Sequence, residues 1–189
     1  MKVLSLSCAA LFAATTASAW TLDGEASAIG YVSIKNADTA EPNLLPGLSG
    51  SVDEDGTAEI QIDLATVETY IDIRNERMQE HLFRVAEHPV ATLTAELDMA
   101  DYETMAAGET KQTEFAVTVA TNGEERTYDA LATVTRVGED RVAVASRQPV
   151  IVYADELGYA DGLVTLQEIA GLDSIQLAVP VNFTLVFDR

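Results

Sequence analysis

Apolar and polar residues alternate with a period of two along most of this chain. In the segment 57–64 (TAEIQIDL), apolar side chains occupy every second position and polar side chains lie between them. Successive side chains of a β-strand point to opposite faces, so this alternation predicts a strand with one buried face. Segments 91–97, 115–119, 126–137 and 141–147 are also predicted strands.

The clearest alternation lies at the C-terminus, which is predicted to be one long strand over 175–187. Pro180 within it cannot donate a backbone hydrogen bond, which predicts an edge position or a bulge. Asn122-Gly123 is a strong hairpin signal between two other strands, because both residues tolerate positive φ. The apolar residues of the C-terminal strand are Ile175, Leu177, Val179, Val181, Phe183, Leu185 and Phe187.

Two segments break the alternation and predict helix. Residues 72–85 begin with Asp72, a possible N-cap, and place Met78, Leu82 and Val85 at helical spacing before a proline stops the helix. Residues 163–171 are predicted to form one or two helical turns that end at Gly171, a suitable C-cap.

Residues 36–50 are predicted to form a loop, because they contain two prolines and two glycines. About eight strands joined by short turns, with one inserted helix, indicate an antiparallel β-barrel or sandwich. The barrel is favoured because no segment provides a covering layer of helices.

The first nineteen residues have the features of a secretory signal peptide. Lys2 precedes an apolar stretch of about a dozen residues, and Ala17-Ser18-Ala19 provides small residues before a cleavage site at Trp20. The stretch is too short to span a bilayer. We therefore expect one exported, soluble domain over 20–189, periplasmic or secreted. A lipid-anchored Cys8 is a less favoured alternative, because the residues before it do not match the usual lipidation signal.

Charge and cysteine content narrow the possible functions. The chain has 31 Asp and Glu against 11 Lys and Arg, a net charge of −20, and this field would repel nucleic acid. The one cysteine lies within the predicted signal peptide. The exported domain would therefore have no disulfide, thiol nucleophile or thiolate metal site.

The predicted helix carries the residues that are best suited to bind a ligand or a metal ion. Arg74, Arg77 and Arg84 make a positive site on a negative protein, although Glu80 and Arg84 also have the spacing of an ordinary helical ion pair. His81 and His88 are candidate metal ligands without a recognised metal motif. No catalytic residue, metal or cofactor is predicted, and an enzyme that uses the histidines is the least favoured hypothesis.

Several motifs between 62 and 92 resemble those of the YceI-like family of exported lipid-binding proteins. They are IDLATVET at 62–69, RNERM at 74–78, HLF at 81–83 and HPVAT at 88–92. Weaker similarity extends over nearly all of 20–189. The chain departs from the family pattern at Thr66, His88 and Leu93, where serine, an aromatic residue and phenylalanine are usual. The shape of the pocket depends on such residues, so these changes affect which ligand is expected to bind.

The resemblance implies an all-β, lipocalin-like fold: an extended eight-stranded antiparallel barrel with a helix, around an apolar tunnel. It implies as partner a polyisoprenoid, a quinone-like chain or another long amphiphile, carried or sequestered in the periplasm. Arg74 and Arg77 are the expected head-group contacts. The expected apolar lining is Ile60, Ile62, Leu64, Met78, Leu82, Phe83, Phe115, Val117, Val119, Leu177, Val179, Val181, Phe183 and Leu185.

An alternative function remains open at this point. A small barrel can fill its centre with its own side chains, and the protein would then be a non-enzymatic interaction or envelope-stress module. A continuous apolar cavity of roughly 300 Å³ or more would favour the lipid carrier instead. The oligomeric state is not predicted, although a dimer is possible.

Overall fold

Eleven β-strands dominate the computed structural model, which describes residues 18–189. The predicted signal peptide lies outside the described residues except for its last two, which begin the first strand, and Cys8 also lies outside. The strands are β1 Ser18–Leu22, β2 Ala28–Lys35, β3 Thr39–Leu45, β4 Leu48–Asp53, β5 Thr57–Asp63, β6 Val90–Glu96, β7 Thr110–Thr121, β8 Glu124–Arg136, β9 Arg141–Ser146, β10 Val150–Tyr153 and β11 Ala178–Asp188.

The sheet closes on itself as an eight-stranded antiparallel barrel. Neighbouring strands follow the order β1-β4-β5-β6-β7-β8-β9-β11, and β11 also pairs with β1, where Leu22 lies opposite Phe187. The N-terminal part of β11 pairs with β10 and β2, and β3 pairs with β2, so the barrel is extended along its axis. This architecture confirms the predicted fold class.

Local sequence signals explain most of the elements. Asn122 and Gly123 both have positive φ, 53° and 82°, in the two-residue turn that joins the longest strands, β7 and β8. The predicted C-terminal strand is present but begins at Ala178, so Ile175 and Leu177 precede it. Pairing of β11 with β2 begins at Val181, directly after Pro180, as expected for a proline at the end of a ladder.

The prediction of a loop over 36–50 was wrong. These residues contain β3 and the start of β4, and Pro42 lies within β3 opposite Val32. Within residues 18–189, β3 is the last strand of the sheet order, and its other side makes only an isolated bridge from Leu44 to Glu68. A proline is tolerated on such an edge because the lost N–H has no ladder partner there.

Two helical segments, which pack against each other, cover one end of the barrel. The predicted helix over 72–85 forms as α1, Asp72–Arg77, and continues as a π-helical turn over Met78–Leu82. The predicted turns over 163–171 form α3, Ala160–Ala170, which ends at Gly171 in the left-handed conformation, with φ of 63°. A further short helix, α2, Ala100–Glu103, was not predicted. No helix within residues 18–189 is long and apolar enough to cross a bilayer.

Gly162 permits close packing of α3 against the π-helical turn. A Cβ atom at this position would lie 2.7 Å from the carbonyl oxygen of His81 and 2.9 Å from the Cα atom of Leu82. Both are backbone atoms, so they cannot rotate away. The side chains beneath this contact, Leu82 and Phe83, belong to the buried core.

We therefore expect the substitution Gly162→Ala to displace α3 and to lower the free energy of unfolding by about 1–3 kcal/mol. The matched control is Gly138→Ala, because a Cβ atom there would meet nothing within 4 Å. Urea denaturation of both variants provides the comparison. Equal stabilities of G162A and G138A would contradict the packing role of Gly162.

Candidate functional site

An apolar cavity of about 290 Å³ lies inside the barrel. All eleven strands contribute side chains to its wall, because the alternating apolar positions of each strand face inward. This volume is close to the lower end, about 300 Å³, of the usual range for small-molecule sites. The barrel is therefore not completely filled by its own side chains, which disfavours the side-chain-filled alternative.

Small side chains explain why room remains in the cavity. Ala58, Ala91, Ala95 and Ala130 line the wall alongside valines and leucines. Each occupies an inward position where a larger residue would project toward the axis. Ala91 and Ala130 are buried, so their missing bulk becomes cavity volume rather than surface.

The first of the two ends of the barrel, here called the Trp20 end, is closed by aromatic and cationic side chains. Trp20 is buried, and Phe187 and Tyr102 also line the cavity there. The guanidinium carbon of Arg136 lies 4.9 Å from the centre of the Trp20 ring, and that of Arg189 lies 5.4 Å from it. These distances are within the range of cation–π attraction.

The opposite end, here called the helix end, is closed by Phe83, Leu157 and Tyr159. The rings of Phe83 and Tyr159 meet edge to face, with centroids 5.6 Å apart. The Tyr159 hydroxyl is 2.6 Å from the Thr121 hydroxyl, which satisfies both polar groups within an apolar wall. Burial raises the pKa of Tyr159, so it stays neutral.

The ladder between β6 and β7 is short. These strands pair over only three residues, Thr92–Thr94, whereas β7 continues toward Thr110 paired with β8 alone. The segment with α2 covers the remaining gap, and its contacts with β7 are made by side chains. Lys111 forms an ion pair with Asp101 at 2.7 Å, and the Tyr102 hydroxyl donates a hydrogen bond to Thr113.

Most of the residues predicted to line the site lie on the cavity wall. β5 and the turn after it provide three of them, β7 three, β11 three, and the segment after the π-helical turn provides one. Contact of these side chains with a ligand stays a prediction. The ten residues are Ile60, Ile62, Leu64, Phe83, Phe115, Val117, Val119, Val181, Phe183 and Leu185.

Four predicted lining residues lie away from the wall. Met78 and Leu82 are buried, but they belong to the core where the π-helical turn meets the barrel, and the sulfur of Met78 is 3.8 Å from the Tyr31 hydroxyl. Leu177 is 40% exposed because β11 begins one residue later. Val179 is half-buried and does not line the cavity.

The two predicted head-group arginines have different surroundings. Arg74 forms an ion pair with Glu41 at 2.5 Å and donates a hydrogen bond to the Thr69 carbonyl oxygen, also at 2.5 Å. Its charge is therefore used to attach α1 to β3. Arg77 is half-buried and forms no ion pair with any described residue. Neither arginine is part of the cavity wall.

The histidines are not brought together by the fold. His81 lies 3.7 Å from its neighbour Glu80, and His88 lies 4.0 Å from its neighbour Glu87. Within the described residues, no group of three or more His, Cys, Asp or Glu side chains has the arrangement of a metal site.

Sequence reasoning missed several residues at the cavity ends. Trp20, Arg136 and Tyr102 contribute to the Trp20 end, and Tyr159 to the helix end. For Arg136 a local signal existed. It is separated from Ala130 and Val134 by an even number of positions, so all three side chains point to the same face of β8. The other three positions depend on long-range packing and had no local signal.

The ion pair of Glu41 makes a testable contribution to acid stability. A hydrogen bond from Lys35, assisted by the charge of Arg74, lowers the pKa of the Glu41 carboxyl below its ordinary value of 4.5. A lowered folded-state pKa stabilises the protein above the ordinary pKa, and this contribution disappears as the pH falls through the lowered value.

We expect Glu41→Gln to lower the free energy of unfolding by about 1–2 kcal/mol at pH 7, because Arg74 and Lys35 lose their shared carboxylate. The difference from the unmodified protein should shrink below pH 4. Glu114, exposed on β7 with no ion pair to a described residue, provides the control variant E114Q. Denaturant titrations at pH 7 and pH 3 measure both effects, and a pH-independent loss would contradict this explanation.

Known proteins share both the family motifs and the barrel. The model of the YceI-like domain matches residues 20–187. A polyisoprenoid-binding domain from Saccharophagus degradans, implicated in plant cell wall breakdown, has a similar structure with a TM-score of 0.89 and 33% sequence identity, over 92% of this chain and 99% of that one. BcnA of Burkholderia cenocepacia has the same fold, with a TM-score of 0.66 and 17% identity over 87% and 98% of the two chains. Comparison with the curated proteins found no match. With a family model that spans nearly the whole described chain, this protein belongs to the YceI-like family.

Proposed function

We propose that this protein binds an isoprenoid, a quinone-like chain or another long amphiphilic lipid in the barrel cavity. The observation that carries the proposal is the almost wholly apolar wall, built by inward side chains of every strand. Such a wall offers a hydrocarbon chain a favourable environment and offers a polar molecule almost no hydrogen-bond partners. The similar domain from Saccharophagus degradans is described as polyisoprenoid-binding, which supports the same ligand class here.

Burial of a hydrocarbon chain provides sufficient binding energy without specific polar contacts. Removal of apolar surface from water is worth ~25 cal/mol per Å², so a chain that buries ~400 Å² gains roughly 10 kcal/mol before the costs of association. A micromolar dissociation constant requires about 8 kcal/mol. An apolar chain of moderate length therefore satisfies the energetic requirement.

The proposed role is carriage or sequestration of this lipid in the periplasm. The predicted signal peptide supports export, and the net charge of −20 supports solubility of a protein with an apolar interior. A lipid in an aqueous compartment needs a protein that shields its chain from water. The protein is proposed to act by binding alone, without a cofactor or a chemical step.

Native mass spectrometry of the protein purified from its own host tests the proposal directly. We expect a population heavier than the apoprotein, and organic extraction should release a long amphiphile that accounts for the added mass. An unoccupied protein that also fails to bind farnesol, a short isoprenoid alcohol, would contradict the proposed function.

A substitution that fills the cavity should reduce binding without loss of the fold. Ala130 is buried on the wall, and Ala130→Leu adds three carbon atoms to the space proposed for the lipid. We expect the affinity for farnesol to fall by about tenfold, the equivalent of about two buried methylene contacts.

Ala116→Leu is the matched control, because Ala116 is exposed on the neighbouring strand β7. Isothermal titration of farnesol measures affinity, and thermal denaturation tests whether both variants fold. Unchanged affinity in a folded A130L variant would place the lipid outside the cavity.

A further inference from the structure

Two arginines approach the same aromatic ring at the Trp20 end of the barrel. The guanidinium carbons of Arg136 and Arg189 lie 4.9 Å and 5.4 Å from the centre of the Trp20 ring. Arg136 is also part of the cavity wall, where Glu103 is the other charged residue. The Trp20 end thus places two positive charges, together with the carboxylate of Glu103, beside one terminus of a mostly apolar cavity.

Neither arginine forms an ion pair with an acidic side chain of the described residues. The sequence has 31 acidic and 11 basic residues, so most basic side chains have an acidic neighbour. Among residues 18–189, however, neither Arg136 nor Arg189 has an Asp or Glu side-chain oxygen within 4.0 Å, whereas Lys111 and Arg141 both do. The Arg136 side chain donates its hydrogen bond to the carbonyl oxygen of Glu139, an uncharged acceptor.

Both guanidinium groups keep N–H donors that an anion could use. Arginine presents several donors in a planar fork that matches phosphate or carboxylate oxygens. Arg136 is half-buried and Arg189 is exposed, so an anion here would be close to the cavity and still reach solvent. A charged group at this boundary avoids the cost of complete burial while its chain enters the apolar interior.

The construction of the barrel wall also favours this end for a polar group. The ladder between β6 and β7 stops at Thr94, and side chains of the α2 segment complete the wall on the side that leads to the Trp20 end. The helix end is closed by packed aromatic and aliphatic side chains, including Phe83 and Tyr159. Arg74 at that end already has Glu41 as its partner.

We propose that Arg136 and Arg189 bind the anionic head group, a phosphate or carboxylate, of an amphiphile whose chain extends through the cavity toward Phe83. This inference rests on the proposed lipid-binding function and specifies the chemistry and orientation of the ligand. It assigns the head group to the Trp20 end instead of to Arg74 and Arg77.

The test compares farnesyl phosphate with farnesol, two probes that share one chain and differ in the head group. Isothermal titration should give the unmodified protein a tighter affinity for the phosphate by about tenfold or more, with a preference that decreases as salt is added. The double variant R136Q/R189Q should lose that preference, while its affinity for farnesol stays within about twofold.

Two further variants separate charge from packing and from net charge. R136K/R189K keeps both positive charges and should retain most of the preference for the phosphate. R126Q/R147Q removes the same number of charges from two exposed arginines that lie outside the cavity wall, and should keep the full preference. Thermal denaturation of each variant establishes that it is folded.

Trp20 provides an independent readout, because it is the one tryptophan of the sequence. Farnesyl phosphate should change its fluorescence more strongly than farnesol, and R136Q/R189Q should abolish that difference. Equal affinities for the two probes in the unmodified protein, or a phosphate preference that survives in R136Q/R189Q, would overturn the head-group site and leave lipid binding intact. Failure of both probes to bind would instead overturn the lipid-binding proposal and, with it, the head-group site.

Discussion

Closure of the sheet by β11 is the constraint from which the other properties of this structure follow. Its C-terminal half pairs with β9 on one edge, and Thr21 and Leu22 of β1 pair with Asp188 and Phe187 on the other. Within a closed barrel, all inward side chains face one another, so the apolar alternation of every strand contributes to a single interior. The length of β11 also lets it pair with β2 and β10, which extends this interior along the axis.

The size of the inward side chains then determines whether that interior is solid or hollow. Alanines at 58, 91, 95 and 130 are too short to meet at the axis of the barrel. A protein interior normally packs as densely as an organic crystal, so an apolar cavity of about 290 Å³ is a property that the protein maintains at a cost in stability. A bound apolar chain would recover the contacts that the wall now lacks.

Electrostatics distinguish the two ends of this cavity. At the helix end, Glu41 lies between Lys35 and Arg74, and the two cations are used to join β2, β3 and α1. At the Trp20 end, Arg141 is bound by Asp23 and Asp188, whereas Arg136 and Arg189 lie against the ring of Trp20. On a strongly acidic protein, this difference in ion-pair partners makes the two ends of the cavity electrostatically distinct.

The sequence by itself determined six of the eleven strands and favoured the barrel over the sandwich. Period-two alternation is a local property, and a strand must bury its apolar side whatever its partners are. The alternating residues Ile60, Val117 and Phe183 lie on the cavity wall. Turns at Asn122-Gly123 and the C-cap at Gly171 were equally local. The error at Pro42 arose because a proline excludes a central strand but not an edge, and strand order is not a local property. Only the tertiary structure decided the depth of the cavity, the use of Arg74 by Glu41 and the meeting of Arg136 and Arg189 at Trp20, because each depends on residues that are distant in sequence and that the closed barrel brings together.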